Sequence, residues 1–535
     1  MKISAIEADL KSRAKAAFSL DDAGVAGFVL AAPPPHVKAD ACIAWPIASA
    51  KLLKKAPLQI AEQLKAALGA ELGAQTVPPG FVNINFSPAF LFAALRELEK
   101  PGSLRRPEYA GEKICLEFVS ANPTGPMHLA SGRGATLGDS LARIWKELGA
   151  EVATEFYVNN VGRQVEKLGL SLKARFEGQE PPADGYQGEY LKELAAAMPK
   201  DAAGWPDARF SEYAVAEMLN LHKADMLAFG VHFDRWFLES ELHAAGGPAA
   251  ALATLKERGM AYEKEGAVWF GAASELESDD KDRVLVKADG RNTYFLNDIA
   301  YHLNKFSRGF RRLIDIWGAD HHGYVPRMEA AVKALGSDLG SFKVIIHQQV
   351  SLLRGTEVVK MSKRAGDFIS LKELMDDVGT DACRFFFASR GPNTHLNFDV
   401  ELAKKKSNEN PVYYVQYVHA RISSIFENAA AKGVDPAAGF DEAKAVINSE
   451  ERALMLKLLW LEKALADCAR DNSPHHLTTY LTELAASFHS FYDQHKVLDP
   501  EHKEVTAYRL FLLKAVKGVI SKGLALLGVS APERM

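Results

Sequence analysis

The spacing of apolar residues changes period along the chain, and the changes mark its organisation. Ile3 to Leu20 repeats apolar positions at helical spacing, while Phe81 to Phe86 (FVNINF) alternates apolar with polar, the pattern of a half-buried strand. Ser87-Pro88 supplies a helix N-cap and a proline at the first helical position, ahead of AFLFAALREL. Pro33-Pro34-Pro35 and Pro78-Pro79-Gly80 read as loops, and the proline- and glycine-containing segment 101–107 reads as a boundary. A separate α/β module is therefore expected over residues 1–110.

From Gly111 short buried runs alternate with helical patterns, which predicts a parallel sheet. The strand candidates are Ile114–Val119, Val152–Val158, Arg312–Trp317 and Lys343–His347. Between Gly162 and about Asp280 the pattern is mostly helical, turning strand-like near Val268–Ala272 and again at Arg283–Lys287. This middle part reads as an insertion between two halves of one sheet, in a unit spanning 111–390. Ser370-Leu371-Lys372-Glu373 is a capping box. After about Gly391 the chain reads as helical to its end. Tyr413–Ala429, Glu450–Cys468, His476–Gln494 and Thr506–Leu527 form an all-α bundle over 391–535.

Composition narrows the partners. The 535 residues are 48% hydrophobic and 25% charged, with a net charge of −4, which excludes a uniformly basic nucleic-acid coat and leaves room for a local basic patch. Four cysteines (Cys42, Cys115, Cys383, Cys468) without a CxxC pair argue for a reducing compartment and against a zinc or disulfide framework. The segment MKISAIEADLKSRAK lacks the apolar core of a signal peptide, and no run approaches ~20 apolar residues. A cytosolic protein is expected.

Two stretches carry chemistry. In Lys113 to Ile144 an apolar strand feeds a loop rich in Asn, Pro and Gly and then a long amphipathic helix. Free N–H groups and the dipole at such a helix start favour an anion. Asn122, Thr124 and His128 lie in the loop, and Ser131, Gly132, Arg133 and Gly134 at the helix start. The plainer reading is a structural turn with a satisfied histidine. In Val358 to Gly366, Lys360 and Lys363 bracket Met361 and Ser362. That segment is either a solvated basic loop or a mobile clamp on a leaving pyrophosphate. Together the stretches make sense around one nucleotide.

The pair resembles the two signatures of class I aminoacyl-tRNA synthetases. The flanking text EFVSANPTGP, ADHHGYVPR and VYYVQYVHARI, with LLGVSAPERM at the end, is similar to arginyl-tRNA synthetases of bacterial type over essentially the whole chain. Lys360-Met361-Ser362-Lys363 matches the second signature completely. The first covers Ala121-Asn122-Pro123-Thr124-Gly125-Pro126-Met127-His128-Leu129-Ala130-Ser131 and departs at its end. Where the family has Gly and His, this chain has Ala130 and Ser131. Alanine adds a methyl where adenine is expected to lie, and serine keeps a hydroxyl but loses reach and charge.

The resemblance implies a Rossmann-like catalytic domain with a helical insertion over about 162–280. It implies ATP contacts from Thr124, Gly125, His128, Ser131, Gly132, Met361, Ser362 and Lys363, with His128, Ser131, Lys360 and Lys363 as the catalytic set. It implies an arginine pocket of Glu117, Asn122, Tyr294, Asp298 and His322. Chemistry agrees: a guanidinium has five donors and a fixed carboxylate accepts it bidentately, and Tyr294 and Asp298, four apart on a helix, share a face. Lysine cannot fill such a site, so the insertion is expected to have no hydrolytic editing role. His321 and His322 end an apolar strand, where open α/β sheets bind ligands; lacking a third ligand, they read as pocket lining and not as a metal site. Mg²⁺ is expected to come with ATP and no metal to be held by the protein itself.

The bundle resembles an anticodon-binding domain. Tyr414, Tyr417 and Arg421, with Tyr413 and His419 nearby, are its candidate tRNA(Arg) contacts, by stacking and phosphate contact. Lys404-Lys405-Lys406 is a modest basic patch. By the same resemblance the N-terminal module touches the tRNA elbow and tRNA must bind before arginine is activated. A monomer is expected. Two alternatives stay open: a class I synthetase for another amino acid, such as cysteine, and a tRNA-binding relative whose catalysis is impaired through Ala130 and Ser131.

Overall fold

A computed structural model describes the chain except residues 1, 35, 70–71, 272–281, 356, 359–368, 436–438 and 443. The N-terminal module opens with α1 (Ile3–Phe18), whose Ile3, Ile6, Leu10 and Ala14 are buried at helical spacing. Strands β1 (Ala41–Ile43), β2 (Gln75–Val77) and β3 (Phe81–Ile84) form an antiparallel sheet in the order β1-β3-β2. Helix α2 (Pro88–Leu98) starts where Ser87 and Pro88 predict it, the Ser87 side chain accepting the Phe90 N–H.

The central sheet is built from β4 (Lys113–Phe118), β5 (Glu151–Val158) and, further on, three more parallel strands. Helix α3 (Leu129–Leu148) covers β4 closely: a Cβ at Gly138 would sit 2.1 Å from the Phe118 ring, so only glycine allows this helix-to-strand approach. After β5 come α4 (Arg163–Phe176), α5 (Tyr190–Ala197) and α6 (Asp207–Ala228), which share an apolar cluster that includes Leu168, Leu172, Leu191 and Phe210.

The chain then returns to the same sheet as β6 (Arg235–Leu238), paired in parallel with β5 from Glu155↔Arg235 to Val158↔Leu238. This corrects the reading of residues 162–280 as one insertion between two half-sheets. Helices α4–α6 are the crossover from β5 to β6, and the sheet passes through the middle of that stretch. The four residues RWFL are too short and too mixed for either period to show. Strands β7 (Ala261–Lys264), β8 (Ala267–Phe270) and β9 (Arg283–Val286) make a small antiparallel sheet of their own.

Helix α7 (Tyr294–Ser307) leads back to β10 (Arg312–Gly318) on the far side of β4, and β11 (Phe342–His347) completes the order β11-β10-β4-β5-β6. The order reverses between β4 and β10. The crevice outside their carboxyl ends is the ligand position of an open parallel sheet.

Strands β12 (Val350–Arg354) and β13 (Glu357–Val358) follow, then α8 (Leu371–Val378), opened by the capping box that Ser370 and Glu373 form. One more strand, β14 (Leu396–Asp399), pairs in parallel with β12, so the chain is not purely helical after Gly391. The bundle comprises α9 (Pro411–Ala431), α10 (Ser449–Leu459), α11 (Leu461–Asp471), α12 (His475–Gln494) and α13 (Lys503–Leu526). Glu450–Cys468 reads as one helix in sequence and is two. The break falls at Trp460, which keeps a right-handed helical conformation, so the apolar period hardly slips.

Two arginines, Arg384 buried and Arg452 half-buried, bolt the parts together. Arg384 donates to the carbonyls of Leu527 (2.8 Å) and Phe229 (3.0 Å) and pairs with Asp139 of α3. Arg452 of α10 pairs with buried Asp40 and donates to the Phe86 carbonyl (2.6 Å) of the N-terminal module.

Candidate active site

The loop after β4 leaves the strand under strain. Val119 and Ser120 have φ of 70° and 40°, a region that non-glycine residues, and β-branched ones above all, enter at a cost of about 1–3 kcal/mol each. Such geometry persists where surroundings over-determine it. Ser120 Oγ donates to Glu117 (2.7 Å) and accepts the Tyr157 N–H (3.1 Å). The crossover helices then hold the loop at three further points. Asn122 Nδ2 donates to Gln164 of α4 (2.8 Å), Tyr190 of α5 donates to the Thr124 carbonyl (2.6 Å), and His222 Nε2 of α6 donates to the Gly125 carbonyl (2.7 Å).

The loop ends at His128, the N-cap of α3. Its Nδ1 accepts the Ala130 N–H (3.2 Å), which places the ring proton on Nε2. Ala130 is half-buried. Ser131 is only 7% exposed. Gly132 faces the interior, where a Cβ would lie 2.6 Å from Leu371 Cδ1. Arg133 is fully buried and donates to the carbonyls of Gln348, Gly391 and Thr394 at 2.7–3.0 Å, so it holds α3 to the C-terminal half and is not turned toward a phosphate.

Lys360, Met361, Ser362 and Lys363 lie outside the described residues. The chain resumes at Ile369, and Ser370 forms an antiparallel bridge with His128 while the Leu371 N–H donates to the Met127 carbonyl (2.9 Å). The end of the first signature and the start of α8 are thus joined by backbone contacts beside His128.

Beneath the crevice lies a buried network of charges. Lys305 Nζ of α7 donates to Glu117 (2.5 Å) and Asp315 (2.9 Å), and His302 Nε2 faces Asp315 at 2.9 Å. Burial would strip the Lys305 proton, but the Asp315 and Glu117 carboxylates more than offset it and hold its pKa above the ordinary value. Burial works against Asp315 too, yet Lys305 and His302 hold its carboxyl down at about 2. Arg308 pairs with buried Glu155 (2.9 Å), which also accepts the Tyr301 hydroxyl (2.9 Å). Glu117, read from sequence as a ligand for the substrate ammonium, shares Lys305 with Asp315, and burial raises its pKa in spite of that contact.

Two carboxylates in this region have no lysine or arginine partner among the described residues. Asp298 accepts the Tyr324 hydroxyl, and burial pushes its pKa up to about 6. Glu239, 4% exposed at the start of the helix Glu239–Ala244, accepts Asn297 Nδ2 (2.9 Å), faces His243 at 3.4 Å and has Asn159 within 3.0 Å. Asn297 Oδ1 is buried and has no hydrogen-bond partner among the described residues. Two uncompensated carboxylates and an orphan acceptor suit a cation rich in N–H donors.

Sequence reasoning missed Glu239, Asn297 and Tyr324; of these only Tyr324 had a local signal, its place in the ADHHGYVPR stretch. Tyr294, at the first position of α7, is 70% exposed, and His322 is exposed in the turn after β10. Neither is drawn into the cluster around Asp298. Among the described residues no group of three His, Cys, Asp or Glu side chains could hold a metal ion.

In the bundle, Tyr414 and Tyr417 stack on His489 with centroids 4.7 and 6.0 Å apart, and Arg421 lies 5.8 Å from the Tyr417 ring and 5.1 Å from that of Tyr492. This half-buried aromatic face unites Tyr414, Tyr417 and Arg421 and adds His489 and Tyr492. His419 is buried against the Pro532 carbonyl (2.9 Å) and is core. The basic patch is weaker than its sequence suggests, because Lys404 pairs with Asp377 and Lys405 with Glu409.

Comparison with known proteins extends these local findings to the whole chain. Residues 4–86 match the family described as arginyl tRNA synthetase N terminal domain, 245–393 the class I (R) tRNA synthetase catalytic domain, and 415–535 the DALR anticodon binding domain. An arginine–tRNA ligase of Elusimicrobium minutum is 53% identical over 508 residues, covering 94% of each chain. Another, of Solidesulfovibrio magneticus, is 44% identical over 100% of both. The crystal structure of Thermus thermophilus arginyl-tRNA synthetase superposes with a TM-score of 0.80 at 23% identity, covering 99% of this chain and 100% of that one. With relatives that match it from end to end, the chain belongs to the arginyl-tRNA synthetase family of class I aminoacyl-tRNA synthetases.

Proposed function

We propose that the chain is an arginine–tRNA ligase that works in two steps at the crevice between β4 and β10. In the first, an arginine carboxylate oxygen attacks the α-phosphorus of ATP in line, and the bond to the bridging oxygen of pyrophosphate breaks. In the second, a hydroxyl of the terminal tRNA ribose attacks the arginyl carbonyl carbon and AMP leaves. Catalysis is placement plus stabilisation of developing phosphate charge. The observation that carries the reading is the pair of uncompensated carboxylates, Asp298 and Glu239, beside the orphan Asn297 Oδ1. Asn122, Tyr294 and His322 border this pocket in the reading, and Glu117 shapes it from below through Lys305.

His128 Nε2–H donates to the phosphates or ribose of ATP, with Thr124 and Gly125 lining the nucleotide and Ser131 supporting the helix start. Lys360 and Lys363, with Met361 and Ser362, close on the β- and γ-phosphates. Lys363 precedes Ser370 by seven residues, so backbone reach alone keeps it within ~25 Å of Ser370, which is bridged to His128. Mg²⁺ arrives on the triphosphate and neutralises the charge of the leaving group.

Tyr414, Tyr417 and Arg421 take unstacked bases of the tRNA(Arg) anticodon loop, and the N-terminal module takes the elbow. The enzyme acts as a monomer in the cytosol. Among the described residues no helix is long and apolar enough to cross a membrane. Selectivity for arginine over lysine lies in the acidic pocket, with no editing activity in residues 162–280. The impaired tRNA-binding relative is not supported, because identity to named ligases runs the full length of the chain.

Charging of total tRNA, tested one amino acid at a time, checks the assignment. Arginine alone is expected to be attached, and cysteine charging would replace this reading with its rival. Lys363→Ala should lower kcat about 100-fold while tRNA affinity stays within about twofold, because its contact strengthens in the transition state. A defect confined to tRNA binding would make the lysine loop a passive basic patch.

A further inference from the structure

The crossover helices do more than connect β5 to β6, for they reach back to the loop that follows β4. Tyr190 and His222, from two different helices, donate to successive carbonyls of that loop, Thr124 (2.6 Å) and Gly125 (2.7 Å). His222 is 1% exposed and packs near the Phe156 ring of β5 at 6.3 Å. Its Nδ1 has no hydrogen-bond partner among the described residues. The ring is spent on a single bond, from Nε2–H to the Gly125 carbonyl, and burial keeps it neutral by lowering its pKa. Burial likewise raises the Tyr190 pKa, so its hydroxyl keeps the proton it donates.

Peptide geometry gives these two bonds a consequence. A trans peptide points its N–H opposite to its C=O. Drawing the Thr124 carbonyl toward α5 turns the Gly125 N–H away from α5, and that N–H has no partner among the described residues. Fixing the Gly125 carbonyl as well removes the rotation by which a glycine would otherwise relax. The loop enters this region from Val119 and Ser120 in the left-handed region, and the bonds from α5 and α6 add to the local ones that hold it.

We propose that Tyr190 and His222 are positioning residues that aim the Gly125 N–H at the nucleotide, making α4–α6 a brace for the ATP loop. The proposal rests on the reading that this loop holds ATP. Neither Tyr190 nor His222 forms a hydrogen bond with Asp298, Glu239 or Asn297 among the described residues. Loss of the brace therefore separates the two substrates, which a general loss of structure does not.

The test uses the full-length enzyme in arginine-dependent ATP–pyrophosphate exchange with tRNA present. Tyr190→Phe keeps the ring and removes only the donor. It should raise KM for ATP five- to tenfold, leave KM for arginine within twofold, and leave the melting temperature unchanged. His222→Leu should do the same, and His222→Gln, which can again present an N–H, should recover most of the loss. His128→Ala runs alongside as the probe of the loop itself. If His128→Ala raises KM for ATP and neither Tyr190→Phe nor His222→Leu does, the brace is refuted and the loop reading survives. If both KM values rise together in the Tyr190 and His222 variants, the helices support the fold generally and the positioning role fails. If His128→Ala also leaves KM for ATP unmoved, the loop reading and the brace fall together.

Discussion

In the proposed pocket a single residue, Asp298, carries both affinity and pH dependence. A guanidinium binds the carboxylate, not the carboxyl, so affinity requires Asp298 to be ionised. Burial pushes its pKa to about 6. Above that value the group is charged and arginine binds at full strength; below it each unit of acid removes about nine-tenths of the competent form. KM for arginine should therefore rise roughly tenfold from pH 7 to pH 5, and Asp298→Asn should show a raised but flat KM over that range. Asp298→Ala removes one partner of a desolvated ion pair, a loss of about 3 kcal/mol or roughly 100-fold in KM for arginine. KM for ATP should stay within about threefold, and parallel rises would show that Asp298 serves the site as a whole. Asp298 was legible because it sits in helical register behind an aromatic and in a familiar motif. Glu239 was not. It lies 59 positions earlier in the chain and meets Asn297 only because β6 and α7 fold over the same end of the sheet.

At the level of elements, the chain's local chemistry was readable where two signals coincided. The Ser370–Glu373 capping box opens α8 as its spacing requires, and it also closes the segment that carries the lysines. Ser370→Ala removes the side-chain acceptor for the Glu373 N–H, at about 1 kcal/mol. Because Ser370 is bridged to His128, amide exchange should quicken in the first turn of α8 and at the start of α3 together. Faster exchange in α8 alone would mean the bridge is incidental. Elements with one weak signal were lost or merged. Strand β6 has four residues and no clear alternation, and the break between α10 and α11 keeps helical torsions at Trp460. The lysine-rich patch and His419 failed for another reason: charge and exposure depend on neighbours from distant segments, Asp377 for Lys404 and Pro532 for His419.

Across the whole molecule, the N-terminal module and the bundle are joined by charges taken out of water. Asp40 is 4% exposed and satisfied by Arg452, 412 residues away in sequence. Arg452→Met leaves that carboxylate buried and unpaired, a loss of about 3–5 kcal/mol at the contact. The expected result is earlier proteolytic cleavage near residues 101–107 and weaker tRNA binding, with ATP–pyrophosphate exchange close to that of the parent enzyme. Equal loss of exchange would show that the contact also supports the catalytic sheet. Residue patterning can mark where such modules begin, because composition and period change there. It cannot tell how they dock, since the docking pairs are single residues with no pattern around them.

Local regularities of the chain determined the succession of α/β module, parallel-sheet unit and helical end, along with the strand–loop–helix and lysine segments that identify the nucleotide site. These follow from period, caps and turn residues, which act over a few positions. Only the tertiary structure decided that β6 belongs to the central sheet, that Glu117 shares Lys305 with Asp315, that Glu239 joins Asp298, and that three crossover helices grip the loop from Asn122 to Gly125. The physical reason is range. Burial and pairing of charge depend on which segments meet in space, and those meetings join residues from 42 to several hundred positions apart.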